Sequence, residues 1–287
     1  MAPVSITALD KTEILDGLFA VWDDITALGG RLTDAQWQTP TELPGWSVHD
    51  VLAHLIGIES MLQGVETPDA DIDVTTLEHV HNDIGALNER WIRALRGLEP
   101  AELLDRWRSV TDERRAALTA MNDEDWSAVT ATPAGPDSYG RFMRIRIFDC
   151  WMHEHDIRAV TGLTLGDDAL DTPPARLALD EMAAAMGRVV GKLGKAPDGS
   201  RVRFELLGPL ARTIDVAVQD GRGRVVPGFG ATGDGDPGPT TVISLDAWVF
   251  TRLAGGRSTP ERHPGAIGYR GDEAVGRRIV ENLNYVI

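Results

Sequence analysis

FMRIRIFDCWMHEHDIRAV, residues 142–160, decides what the first two-thirds of this 287-residue chain can be. Taken as part of one helix from about Ser138 to Val160, stopped by Gly162, it turns about 100° per residue. Asp149 and His153 then lie about 40° apart, one turn along a single face, with Arg146 and Asp156 on the same stripe. A carboxylate and an imidazole at i and i+4 allow one helix to offer two ligands to one divalent ion. His155 points about 200° away from His153 and cannot share that ion. Cys150 stands one step round the cylinder, where a small core residue suits it better than a nucleophile.

Helical periodicity continues upstream. Leu9, Ile14, Leu15, Leu18, Val21, Trp22, Ile25 and Leu28 recur near 3.6 residues, and Gly29-Gly30 ends the run. Residues 47–64, SVHDVLAHLIGIESMLQG, open on Ser47 with Asp50 three residues later, a capping-box-like start, and close on Gly64. Further helices are predicted over about Thr75 to Leu98, Pro100 to Met121 and Pro173 to Leu193, the last begun by a Pro-Pro pair. A polar loop rich in Pro, Gly and Ser separates the fourth run from Ser138. Such helices with modest loops predict an up-and-down bundle over residues 1–195.

The pattern changes at GKLGKAPDGS. RVRFELLG and ARTIDVAVQD alternate like half-buried strands, and VVPGFG and TTVISLD read as two more. LDAWVFTRLAGG and DEAVGRRIVENL are amphipathic helices. Residues 196–287 are therefore expected to form a small α+β domain with an antiparallel sheet. GFGATGDGDPG reads as a loop; it lacks the lysine-serine ending of a phosphate loop.

Composition narrows the function. A net charge of −16 excludes a broad phosphate-binding surface and so argues against nucleic acid. No apolar run approaches the roughly 20 residues that span a bilayer, and charges interrupt the N-terminal segment, so a cytoplasmic protein is expected. With one cysteine, any metal must be held by histidines and carboxylates.

His54 sits on the stripe of Val51, Ile58 and Met61, the inward face of its helix. It needs a hydrogen-bond partner or a metal there. Both readings stay open: a core histidine paired with Asp149, or a third ligand joining Asp149 and His153. Arg146 either orients an anionic substrate or pairs with Asp156. Arg257, after a helix of the second domain, either contacts a substrate at the bundle or lies on the surface. Trp46 and Trp151 are expected in the core, and His49, His79, His81 and His263 on the surface.

PGWSVHDVLAHLIGIE together with RIRIFDCWMHEHDIR resembles the DinB-like superfamily, in its branch containing mycothiol-dependent maleylpyruvate isomerase. TTVISLDAWVFTRLAGGR and YRGDEAVGRRIVENL resemble the sterol-carrier-protein-like domain found after the bundle in that branch. The resemblance implies a four-helix bundle with a divalent metal, zinc foremost, on His54, Asp149 and His153, where other members often carry Glu at the position of Asp149. It further implies that the open metal position takes the thiol of mycothiol, which attacks a small-molecule electrophile in an S-transferase or isomerase reaction. A hydrolase using bound water, or a non-catalytic binding or stress protein, are the alternatives.

Overall fold

The computed structural model describes residues 6–230 and 237–286, in two compact units that meet in sequence at Thr164 and Leu165. The first five residues of the N-terminal segment, and residues 231–236 of the glycine-rich stretch, lie outside the described residues.

In the first unit, α1 (Lys11–Gly29) is capped by Asp10 and buries Ile14, Leu18, Val21, Trp22 and Ile25. A short α2 (Asp34–Trp37) precedes α3 (Val48–Met61), where the expected Ser47–Asp50 capping box forms. The run expected from Thr75 to Leu98 is shorter. A 3₁₀ turn occupies Val74–Thr76, and α4 (Asp83–Leu95) begins only where the Asn82 side chain accepts from Gly85 N–H. α5 (Pro100–Ala120) and a short α6 (Asp123–Ser127) come next. The expected polar loop holds a two-stranded antiparallel ribbon, β1 (Val129–Thr130) and β2 (Asp137–Ser138). α7 (Tyr139–Thr161) is capped by Ser138 and stopped by Gly162, whose φ of 72° favours glycine. α1 and α3 each pack on both α5 and α7, which makes the four-helix core, and α4 lies against α3.

In the second unit, a five-stranded sheet has the order β5-β4-β3-β6-β7, built from β3 (Arg201–Leu207), β4 (Arg212–Gln219), β5 (Arg222–Val226), β6 (Thr241–Asp246) and β7 (Ile267–Gly271). It is mixed rather than antiparallel, because β6 runs parallel to β3, with Val202 opposite Thr241 and Leu206 opposite Leu245. Alternation of apolar residues is the same in either direction, so periodicity does not reveal it. β7 has no counterpart among the expected strands: its IGYRG carries no buried alternation to signal it. The inward residues Val202, Phe204, Leu206, Val216 and Ile243 are covered by α8 (Pro173–Arg188), α9 (Ala247–Ala254) and α10 (Glu273–Glu281).

The division falls earlier than the expected boundary at 195. α8 packs on β4 and β5, so it is part of the second unit. No described helix is long and apolar enough to cross a membrane.

Candidate metal centre

Helix geometry on α7 brings Asp149 and His153 to one face, and α3 supplies His54 opposite them. His54 Nε2 lies 3.3 Å from Asp149 Oδ2, and His153 Nε2 lies 3.5 Å from Asp149 Oδ1. The imidazole centroids are 4.9 Å apart at 71°. One donor atom from each of the three residues lies within 4.8 Å of the others. The ligand atoms of a tetrahedral zinc ion sit roughly 3.4 Å apart, so this set closes on a cation with small side-chain movement. Both histidines are buried, whereas the Asp149 side chain is 28% exposed and forms the open edge. His54 Nδ1 is buried without a hydrogen-bond partner among the described residues, so only its Nε2 is engaged.

Around the three donors stands a set of charged groups that fixes them. His153 Nδ1 meets Asp156 Oδ2 at 3.1 Å, and Asp156 is fully buried. In the neutral ring that bond keeps the proton on Nδ1 and leaves Nε2, on the Asp149 side, as the nitrogen that can ligate a cation. Arg146 Nη1 donates to Asp149 Oδ2 at 2.6 Å, and its Nε donates to Glu59 Oε1 at 2.9 Å. Arg114 Nε donates to the second Glu59 oxygen at 3.0 Å. Glu59 is wholly buried, which two guanidinium partners make tolerable.

These neighbours set the charge states. Burial alone would raise the Asp149 carboxyl, but Arg146, then His153 and His54, hold it well below the usual carboxylate range. Burial pushes the His54 imidazole below its ordinary value, against the pull of Asp149. Burial acts the same way on His153, yet Asp149 and Asp156 outweigh it and its pKa is raised. Near neutral pH the centre therefore offers an ionised carboxylate and a neutral His54. The His153 proton must leave for a cation to bind. Burial pushes the Cys150 thiol up, which makes it a buried core group and no nucleophile.

Several expectations need correction. Arg146 pairs with Glu59 and Asp149, not with Asp156, and is buried at 3% exposure. His49 is buried, with Nε2 2.9 Å from the Leu98 carbonyl oxygen. His79 is half-buried against Glu89, His263 lies beside Ser258 Oγ, and His81 is exposed as expected. Trp151 is in the core beside His155, but Trp46 is half-buried over the histidine pair. Arg257 is in the second unit, where it donates to the Gly255 carbonyl at 2.5 Å. Glu59 is absent from the sequence-derived candidates, although a lone carboxylate in the apolar run HLIGIESM is a signal that a buried cation must meet it.

Residues 18–158 match the family described as the mycothiol maleylpyruvate isomerase N-terminal domain. An uncharacterized protein of Mycobacterium tuberculosis is 26% identical over 154 residues, 54% of this chain and 58% of the relative. The chain thus matches little more than half the length of that relative. The crystal structure of the mycothiol-dependent maleylpyruvate isomerase superposes with a TM-score of 0.57 at 17% identity, covering 91% of this chain and 93% of that one. A histidine-to-alanine mutant of the same enzyme gives 0.55 over the same coverage at 17% identity. At that identity the likeness establishes the fold, a helical bundle followed by a sheet-containing region.

Proposed function

We propose, because residues 18–158 belong to the mycothiol maleylpyruvate isomerase N-terminal domain family, that this chain is a thiol-dependent metalloenzyme of isomerase or S-transferase type. The observation that carries the reading is the convergence of His54, Asp149 and His153, with one donor atom of each within 4.8 Å of the others. Two imidazoles and one carboxylate are a donor set suited to zinc, and three protein ligands leave a position for a cosubstrate. A divalent cation held there supplies the positive charge that favours a thiolate over a thiol, whose free pKa is about 8.5.

The chain's own residues do the rest. His54 and His153 present Nε2, Asp156 holds the His153 ring by its Nδ1, and Arg146 keeps Asp149 ionised and pointed inward. The exposed edge at Asp149 is where a small molecule gains access. Mycothiol, as thiolate, would add to an electrophilic carbon of the substrate. In isomerisation the same carbon–sulfur bond breaks again after rotation about the bond made single, and the thiolate is regenerated. In transfer the bond persists, and the carbanion left by the addition takes up a proton from solvent. A reduced low-molecular-weight thiol as cosubstrate, and a single buried cysteine, are consistent with a cytoplasmic setting.

Metal analysis of protein purified without chelator, followed by turnover of maleylpyruvate and other small electrophiles with and without mycothiol, tests this. The expected result is about one zinc-like ion per chain, turnover only with the thiol, and loss of both in the His153→Ala variant. Hydrolysis of an ester or amide without thiol would replace this reading with that of a hydrolase.

A further inference from the structure

Trp46 covers both candidate ligand imidazoles at once. Its ring centroid lies 5.2 Å from that of His54 and 6.1 Å from that of His153, at 37° and 35°. It belongs to the loop before α3 and is kept in place by a specific bond: Nε1 donates to Glu89 Oε1 at 2.7 Å. The same oxygen lies 2.8 Å from His79 Nε2. Glu89, on α4, is 2% exposed, and a carboxylate so far from water is costly unless its partners are fixed. Gly45, at φ 80°, lets the loop lie against the His79 ring, since a Cβ there would come within 2.7 Å of it.

We propose that Glu89 is a positioning residue for the metal centre: with His79 it latches Trp46 as an aromatic wall over His54 and His153. The wall closes one approach to the imidazole pair and leaves the edge at Asp149 as the route for small molecules. Its use in catalysis rests on the function proposed above, but the latch itself does not require a bound ion or thiol.

Carbethoxylation of chelator-treated protein by diethylpyrocarbonate, located by peptide mass spectrometry, reads the wall directly. Exposed His81 serves as the internal rate standard and buried His49 as the check that the bundle stays folded. Protection of a buried group falls with the free energy of local opening, so losing a hydrogen bond to a charged group should expose it about tenfold more often. Glu89→Ala and Trp46→Ala should each raise modification of His54 and His153 by about that factor. Glu89→Gln, whose amide oxygen still accepts from the indole, should stay within about twofold of the parent. Glu89→Ala should add nothing in the Trp46→Ala background, as expected for residues acting through one element. Where Glu89→Ala also exposes His49, Trp46→Phe decides, because it keeps an aromatic side chain, though a smaller one, and removes the indole donor; a clear rise is expected. Unchanged protection in Glu89→Ala or Trp46→Phe, or additive effects in the double variant, would overturn the latch. Zinc should further protect both histidines in the parent protein. Failure of zinc to do so counts against the metal reading and leaves the latch standing on its own result.

Discussion

Glu59→Gln is the sharpest perturbation of the charged layer behind the centre. Glu59 is wholly buried and receives Arg114 at 3.0 Å and Arg146 at 2.9 Å, both guanidiniums being almost fully buried themselves. Arg146 retains Asp149 when the charge is removed, but Arg114 has, among the described residues, Glu59 as its acid and otherwise only the Met143 sulfur at 3.3 Å. One stranded guanidinium, not two, places the loss at the lower end of the range for a broken buried pair, about 3 kcal/mol. With a urea slope of about 2 kcal/mol per molar, the midpoint should fall by roughly 1.5 M. The assay is urea unfolding of the chelator-treated protein followed by far-ultraviolet circular dichroism. Adding Arg114→Gln should recover part of the loss, because the two sites share one interaction. A midpoint shift below about 0.5 M for Glu59→Gln would refute the reasoning, since it would mean that the buried arginine needs no counter-charge.

Three further outcomes are expected. Because the His153 pKa is raised, its proton competes with a cation from higher pH than an ordinary imidazole's would; zinc affinity by calorimetry should rise with pH and fall by up to about tenfold per pH unit below that raised pKa. Burial raises Glu154 to about 7 despite Arg158, so its contribution to stability is full below the ordinary value of 4.5 and is lost as pH rises through about 7. Glu154→Gln should flatten that stretch of a thermal-midpoint curve against pH. Cys150, fully buried with its thiol pushed up, should resist Ellman's reagent in native protein and react in urea.

The helices are legible in the sequence because their information is local. Ser47 and Asp50 announce the start of α3, Gly162 the end of α7, and the i, i+4 pair on α7 puts Asp149 and His153 on one face whatever surrounds them. His54 is legible as an inward polar residue without a local partner. The surroundings of the three are not, because Glu59, Arg114, Trp46 and Glu89 come together from different elements, and no spacing rule relates them. Arg146 shows the limit: its stripe is plain from the helix period, but the buried carboxylate on α3 and the nearer Asp149 take the bonds expected for Asp156. The direction of β6 and the existence of β7 also depend on pairing across sequence-distant strands.

Because α8 covers the sheet, a chimera that exchanges the C-terminal unit of this chain is best joined ahead of Pro173. A crossover between Gly162 and Pro173, in LTLGDDALDT, leaves both hydrophobic cores whole. One placed near 195 would carry α8 off with the bundle, exposing Leu177, Met182 and Met186 on one product and uncovering β4 and β5 on the other. The family match stops at 158, on the bundle side of that seam. A chimera joined there would change the C-terminal unit while keeping the histidines and their supporting charges together.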